Sequence, residues 1–406
     1  MTPPQALPDR VVLVDDDALV LKLQSQQLRN LGYQHLRGYE DARAALAALQ
    51  TEGGGADLVL CDLQMPMMDG IEFLRALAVG GFQGRLLLVS GEQGRVLKAA
   101  AQLAQAHGLK LLGTLQKPVS MAQLQAVLCR AQTSAAPAGP APGPALEADD
   151  LRRGLQAGEL HNVYQPKVAM ATGELVGLEA LVRWQHPQRG LVPPDHFIGL
   201  AEDSGQIDEL LWCVLDAALR DAAGWAARGL ALSVAVNVSM DNLLQLDFPD
   251  RVAARAAHHG LPLSQLVLEV TESRLMRNAV LVTDTLTRLR LKRVGLSIDD
   301  FGTGHSSLVQ LRDLPFEELK VDKSFVHGAA GDPALRSIVE SNLRLGQQLG
   351  MQTVGEGVED LDDWRLLRAA GCTLAQGYFI SRPMPPQAVV AWAATWALRA
   401  PGLLVA

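Results

Sequence analysis

The chain has 406 residues, of which 48% are apolar, and a formal charge of −8. That length exceeds one ordinary core, so two domains are expected, and the mild acidity argues against a generalised nucleic-acid binder. Four scattered cysteines with no C-x-x-C pair argue against a zinc or disulfide framework and fit a reducing cytosol.

The N-terminal MTPPQALPDR carries no apolar signal core. "RVVLVDDD" then reads as a strand ending in acids, "DALVLKLQSQQLRNLG" as a helix closed by Gly32, and "DARAALAALQ" as a second helix. "ADLVLCD", "GRLLLVS" and "LLGTLQKP" read as further buried strands. Continuous apolar strands alternating with helices predict a doubly wound parallel sheet, whose site lies at the carboxyl ends of the strands. Those ends carry Asp15 and Asp16, then Asp62, then Ser90, with Lys117 and Pro118 after the last strand. A single strand-end acid reads more simply as a helix cap. The whole set in this order points to one pocket. Three carboxylates there need a cation, and oxygen ligands suit Mg²⁺.

This stretch resembles the receiver domain of two-component response regulators, through "VDD", "CDLQMPMMDG", "VS" and "KP". The resemblance implies that Asp62 accepts phosphate from a sensor histidine kinase or other phosphodonor. Asp15 and Asp16 would help Asp62 hold one Mg²⁺, Ser90 would contact the phosphoryl group, and Lys117 would pair with it. Thr114 stands where the family often has an aromatic switch residue, so the resemblance does not extend to the usual hydroxyl–aromatic coupling. Cys61, beside Asp62, reads as a buried strand cysteine rather than a redox sensor.

"AQTSAAPAGPAPGPALEADD" lacks strand and helix periodicity and reads as a flexible linker. The expected domains are residues 1–130, a linker at 131–148, and residues 149–406. The second domain offers strand candidates "NVYQPKVAM", "LVGLEALVRW", "LSVAVNVS", "LVLEVTE", "GLSIDDF", "EELKVD", "QTVGEGV" and "CTLAQGYF", with helical segments between most of them. Eight strands predict a modified (β/α)8 TIM-type barrel. The short "ATGE" turn between the first two predicts an antiparallel pair there. "AVVAWAATWAL" is too short to span a bilayer. With Trp392 and Trp396 at i, i+4 it predicts a helix packed on its own domain. A cytoplasmic protein is expected, with no membrane and no DNA partner.

Polar residues interrupt the apolar strands of this domain: Glu179, Asn237, Glu269, Asp299 with Asp300, Lys320, Glu356 and Gln376. Burying each unpaired charge costs several kcal/mol, whereas a barrel gathers them at one mouth. Five carboxylates and one lysine require cations. A set without histidine or cysteine favours two Mg²⁺ or Mn²⁺ ions, and two such ions clamp a phosphoryl displacement. "DDFGTGHSS" lacks the ending of a P-loop and reads as a mobile loop beside the metals.

"EALVRW", "YQPK", "NVS", "EVTES", "DDFGTGHSSL", "ELKVD", "GEGVE" and "QGYFISRP" resemble, in order, the EAL family of cyclic di-GMP phosphodiesterases. The resemblance implies hydrolysis of cyclic di-GMP to linear pGpG with Mg²⁺ or Mn²⁺. It implies Glu179, Asn237, Glu269 and Asp299 as ligands of one metal. Asp299 would reach the second, together with Asp300 and, through water, Glu356. Lys320 would orient or activate the attacking water, with Glu356 as general base the alternative. Gln376 would support the water or a ligand, and Gln165 and Arg183 would contact substrate. Glu272 would anchor the glycine-rich loop, with Asp322 and Glu359 supporting the site. His305 stands where the loop often has tyrosine. Together the two resemblances imply a phosphorylation-controlled enzyme that assembles as a homodimer or higher homo-oligomer. The competing readings are a non-hydrolysing cyclic di-GMP receptor and a DNA-binding regulator.

Overall fold

A computed structural model describes residues 10–50, 55–91, 94–133, 146–271, 279–303 and 308–405. Glu272, His305 and the tip of the glycine-rich loop lie outside these residues. The chain divides into two compact units, residues 1–141 and 142–406.

The first unit runs β1 (Arg10–Val14), α1 (Ala18–Asn30), β2 (His35–Tyr39), α2 (Ala42–Gln50), β3 (Leu58–Asp62), α3 (Gly70–Val79), β4 (Arg85–Ser90), α4 (Gly94–Ala106), β5 (Lys110–Gln116) and α5 (Met121–Thr133). The sheet is parallel throughout, in the order β2-β1-β3-β4-β5. Strand β3, LVLCD, is buried at every position because both faces are covered. Sequence patterning misses β2. Its HLRGY is an edge strand with no buried residue, so it lacks the apolar run that marks the others. The strand order reverses between β1 and β3, which opens the crevice where such sheets bind ligands. Helix α5 reaches Thr133, three residues into the segment expected as linker.

The second unit opens with α6 (Ala148–Ala157) and continues through β6 (Leu160–Ala169), β7 (Leu175–His186), β8 (Gly190–Val192), β9 (Ser233–Val238), β10 (Leu266–Thr271), β11 (Gly295–Phe301), β12 (Glu318–Val321), β13 (Gln352–Gly355) and β14 (Leu374–Ala375). Pairing between β6 and β7 closes eight strands into a barrel, and β8 extends β7 at the side. Strand β6 runs antiparallel to both neighbours, β7 and β14, as the short turn after it requires. The remaining neighbours around the barrel are parallel. Long helices, among them Ile207–Ala226 and Pro333–Gln348, bury apolar stripes against the outer wall. In the C-terminal helix Val389–Val405, Trp396 is buried and its indole donates to the Gly173 carbonyl at 2.7 Å. Trp392 stacks on it at 5.5 Å, so this helix packs on its own domain as expected. No described helix is long and apolar enough to cross a membrane.

One glycine at the barrel lip has no room for a side chain. A Cβ on Gly377 would lie 2.2 Å from both the backbone N and O of Val358. Gly377→Ala is expected to destabilise the barrel by about 3 kcal/mol, the cost of overpacking a rigid backbone contact. All six tryptophans lie in the second unit, so tryptophan fluorescence during denaturation reads this loss from the barrel alone. An unchanged midpoint would show that the lip yields freely.

Candidate active site

In the first unit, Asp15 directly follows β1 and Asp62 ends the adjacent β3, so both carboxylates meet at the carboxyl edge. Both are buried, while Asp16 beside them is exposed. Lys117 Nζ lies 2.7 Å from Asp15 Oδ2 and 2.7 Å from Asp62 Oδ2. Burial acts against the ammonium, yet these two carboxylates raise its pKa above the ordinary lysine value. Burial also raises the Asp15 carboxyl, against the pull of Lys117. Ser90 ends β4 beside Asp62 and its carbonyl accepts from the Lys117 backbone N–H at 2.8 Å. The helix-capping task falls to other acids, Asp17 on α1 and Asp69 on α3.

The acids fit a divalent cation. Asp15, Asp16 and Asp62 each offer an oxygen, all within 4.8 Å of one another. Asp62 Oδ1 is buried and accepts no hydrogen bond from the described residues, an arrangement that a hard cation or a phosphoryl group relieves. Cys61 is fully buried and burial drives its thiol far above the ordinary range, as a core cysteine rather than a sensor requires. Thr114 is half-buried on β5.

In the second unit the site is built around one ammonium. Lys320, on β12 and 1% exposed, has Nζ 2.8 Å from Glu269 Oε2, 2.8 Å from Glu356 Oε1, 3.0 Å from Asp299 Oδ1 and 3.7 Å from Glu179 Oε2. Burial opposes its charge, but the four carboxylates outweigh it and hold the pKa well above normal. One lysine cannot neutralise four acids, and the surplus is visible in the others. Burial pushes Glu179 up to about 7 against the pull of Lys320, with Glu269 and Asp299 adding repulsion. Burial likewise raises Glu356 well above the carboxylate range. Glu269 goes the other way: burial disfavours its charge, but Lys320 and Lys167 together hold its pKa down.

Asp299 and Asp300 are brought together by a break in the strand. Successive residues of a strand face opposite sides. The register between β11 and β12 shifts between Ile298 and Phe301, and Asp300 takes a left-handed backbone with φ of 54°. Asp299, Asp300 and Glu356 then offer oxygens within 4.8 Å of one another. Burial, followed by repulsion from Asp299 and Asp322, raises Asp300 to about 6. This crowding of hard oxygen donors fits divalent cations.

Amides tie the acids to a cleft. Asn237, an exposed residue one short of the end of β9, donates to Glu179 Oε1 at 2.9 Å. Gln376 donates to Glu179 Oε2 at 2.6 Å and to Gln165 Oε1 at 3.2 Å. The adjoining cleft, about 300 Å³, is lined by Gln165, Glu179, Arg183, Glu356, Gln376 and Tyr378 among others. Asp322 is buried behind Asp300, whereas Glu359 is exposed at the cleft. Two features escaped sequence reasoning. Tyr378 is exposed at the cleft with the Arg382 guanidinium 4.4 Å over its ring, and an aromatic pair after "QG" gives no warning of that. Lys167 is buried among the acids, and it did carry the signal used for the rest, a charge inside an apolar strand.

Fold and site define a chain that joins a parallel sheet with clustered acids at its carboxyl edge to a barrel with an acidic mouth. The sequence model of the EAL domain matches residues 148–383, and that of the response regulator receiver domain matches residues 11–129. The chain therefore belongs to the EAL domain family and carries a receiver domain. The cyclic di-GMP phosphodiesterase RocR of Pseudomonas aeruginosa is 35% identical over 349 residues, covering 86% of this chain and 89% of RocR. The bifunctional diguanylate cyclase/cyclic di-GMP phosphodiesterase MucR of the same organism is 42% identical over 60% of this chain, which spans only 36% of MucR. Among solved structures, a MucR phosphodiesterase–cyclic di-GMP complex superposes with a TM-score of 0.57 at 41% identity, covering 59% of this chain and 98% of that one.

Proposed function

We infer that the protein is a response regulator whose output is metal-dependent hydrolysis of cyclic di-GMP to linear pGpG. The observation that carries this reading is the convergence of Glu179, Glu269, Asp299 and Glu356 on Lys320, with Asp300 grouped beside Asp299 and Glu356, next to a cleft. It stands in a chain matched over most of its length by a cyclic di-GMP phosphodiesterase.

In this reading Glu179, Asn237, Glu269 and Asp299 would hold one Mg²⁺ or Mn²⁺. Asp299 would also reach a second, with Asp300 and, through water, Glu356. When bound, two such cations polarise the phosphodiester and acidify the attacking water. Lys320, held among the same acids, would orient that water, and Gln376 fixes the Glu179 carboxylate by its 2.6 Å hydrogen bond. Arg183 supplies the cleft with a fixed positive charge suited to a substrate phosphate, and Gln165 borders the same cleft.

The test is incubation of the purified protein with cyclic di-GMP and Mn²⁺ or Mg²⁺ beside Glu179→Ala, with products resolved by chromatography. pGpG formed only by the parent is expected. Bound but intact nucleotide with either metal would move the reading to a receptor.

A proton balance gives a second check. Carboxyls at about 7 and about 6 must release protons before they bind a cation. Their raised values mean that protons compete with metal below neutrality. Mn²⁺ affinity at the barrel is therefore expected to rise as pH increases from about 5.5 to about 8, with net proton release. Calorimetry in two buffers of different ionisation enthalpy reads that release, and pH-independent affinity would remove Glu179 and Asp300 from the ligand set.

Asp62, charged by a sensor histidine kinase or other phosphodonor with Mg²⁺ at the receiver acids, is the proposed control point. Its phosphorylation shifts the equilibrium between active and less active forms of a homodimer or higher homo-oligomer. Beryllofluoride bound at Asp62 is expected to change the hydrolysis rate. Equal rates at every substrate level, with the mimic demonstrably bound, would sink this control.

A further inference from the structure

One buried charge pair has no part in the chemistry above. Lys167, on the reversed strand β6, is 2% exposed. Its Nζ lies 2.8 Å from Glu318 Oε1 and 3.4 Å from Glu269 Oε1. Strand β6 neighbours neither β10 nor β12, so this lysine reaches across the barrel interior. The register sets Glu269, Ser297 and Glu318 level on β10, β11 and β12. Barrel interiors are ordinarily filled by branched apolar side chains, and a buried ion pair is seldom more stabilising than the apolar residues that could replace it. Stability alone does not account for the pair.

The geometry at Glu269 does. Each of its two oxygens faces a different ammonium, Oε1 that of Lys167 and Oε2 that of Lys320. Lys320 is shared with Glu179, Asp299 and Glu356, the acids of the mouth. Lys167 therefore secures one oxygen and leaves the other turned to the mouth. Glu318 balances the Lys167 charge, so the carboxylate is oriented without surplus positive charge beneath the cations. We propose that the Lys167–Glu318 pair is a positioning device that fixes Glu269 for divalent-cation binding. This rests on Glu269 being a metal ligand. Neither residue of the pair lines the cleft.

The test uses the full chain carrying Asp15→Asn and Asp16→Asn, which silences the receiver cation site. Mn²⁺ binding is read by electron paramagnetic resonance of the free ion, for this parent, for Glu269→Gln, and for the double variant Lys167→Met with Glu318→Gln. Tryptophan fluorescence melting monitors the barrel. The double variant keeps the net charge of the barrel interior and leaves Glu269 its 2.8 Å partner Lys320. It is expected to melt like the parent yet bind Mn²⁺ about tenfold or more weakly, the usual cost of losing a ligand's orienting partner. Glu269→Gln weakened while the double variant stays within about twofold of the parent would overturn the positioning role and leave the ligand assignment standing. Glu269→Gln itself unchanged would overturn both. If the double variant loses its melting transition, Glu318→Gln alone decides. The uncompensated Lys167 charge is expected to weaken Mn²⁺ binding several-fold, and unchanged affinity overturns the proposal.

Discussion

Lys320→Met is expected to lower turnover by about a thousandfold at saturating Mn²⁺, a loss in the range for removing a group that stabilises the reacting atoms. Methionine keeps the length and removes the charge. Without metal, four carboxylates lose the ammonium they share at 2.8 to 3.7 Å. Breaking buried pairs in this way costs about 3–5 kcal/mol, so the metal-free variant should melt well below the parent. Mn²⁺ neutralises the same acids and should restore most of the lost stability, but not the orientation of the water. The informative experiment measures tryptophan-fluorescence melting and kcat side by side, with and without Mn²⁺. If saturating Mn²⁺ returns both stability and turnover, Lys320 is only a counter-charge and its place in the chemistry is lost.

Asp300→Asn should lower turnover about a hundredfold, most at limiting metal, because it removes one hard anionic donor and leaves the backbone intact. The distinction matters at this position. Asp300 sits at φ 54°, which asparagine adopts as readily as aspartate. Asp300→Ala carries the same loss of charge plus about 1 kcal/mol of backbone strain. The pair of variants separates ligand from turn: equal turnover with unequal melting assigns the defect to the carboxylate. Turnover of Asp300→Asn within about threefold of the parent would show that the second cation does not depend on Asp300.

Much of this was legible in the chain itself. Buried parallel strands must be apolar on both faces, so "LVLCD", "RLLLVS" and the barrel strands announce themselves, and any charge inside them is conspicuous. Glu179, Glu269, Asp299 and Lys320 are found by that contrast alone. Edge strand β2 is not, because no face of it is buried and its composition is that of a loop. Lys167 shows the limit of the same rule. The contrast marks it, but its partners Glu269 and Glu318 are 102 and 151 residues away, and only closure of the barrel brings them within reach.

Hydrophobic periodicity and strand-end polarity are local properties of the chain, and they specify the two folds, their order and the inventory of acids. Tertiary structure decided how those acids share one lysine, which of them are driven to keep protons, and how adjacent aspartates come to offer oxygens to one site. Those outcomes depend on desolvation, on distances between strands remote in sequence, and on a single left-handed residue at Asp300 that interrupts the alternation of β11. None is encoded in a window of neighbouring residues, because electrostatic energy is set by separation in space.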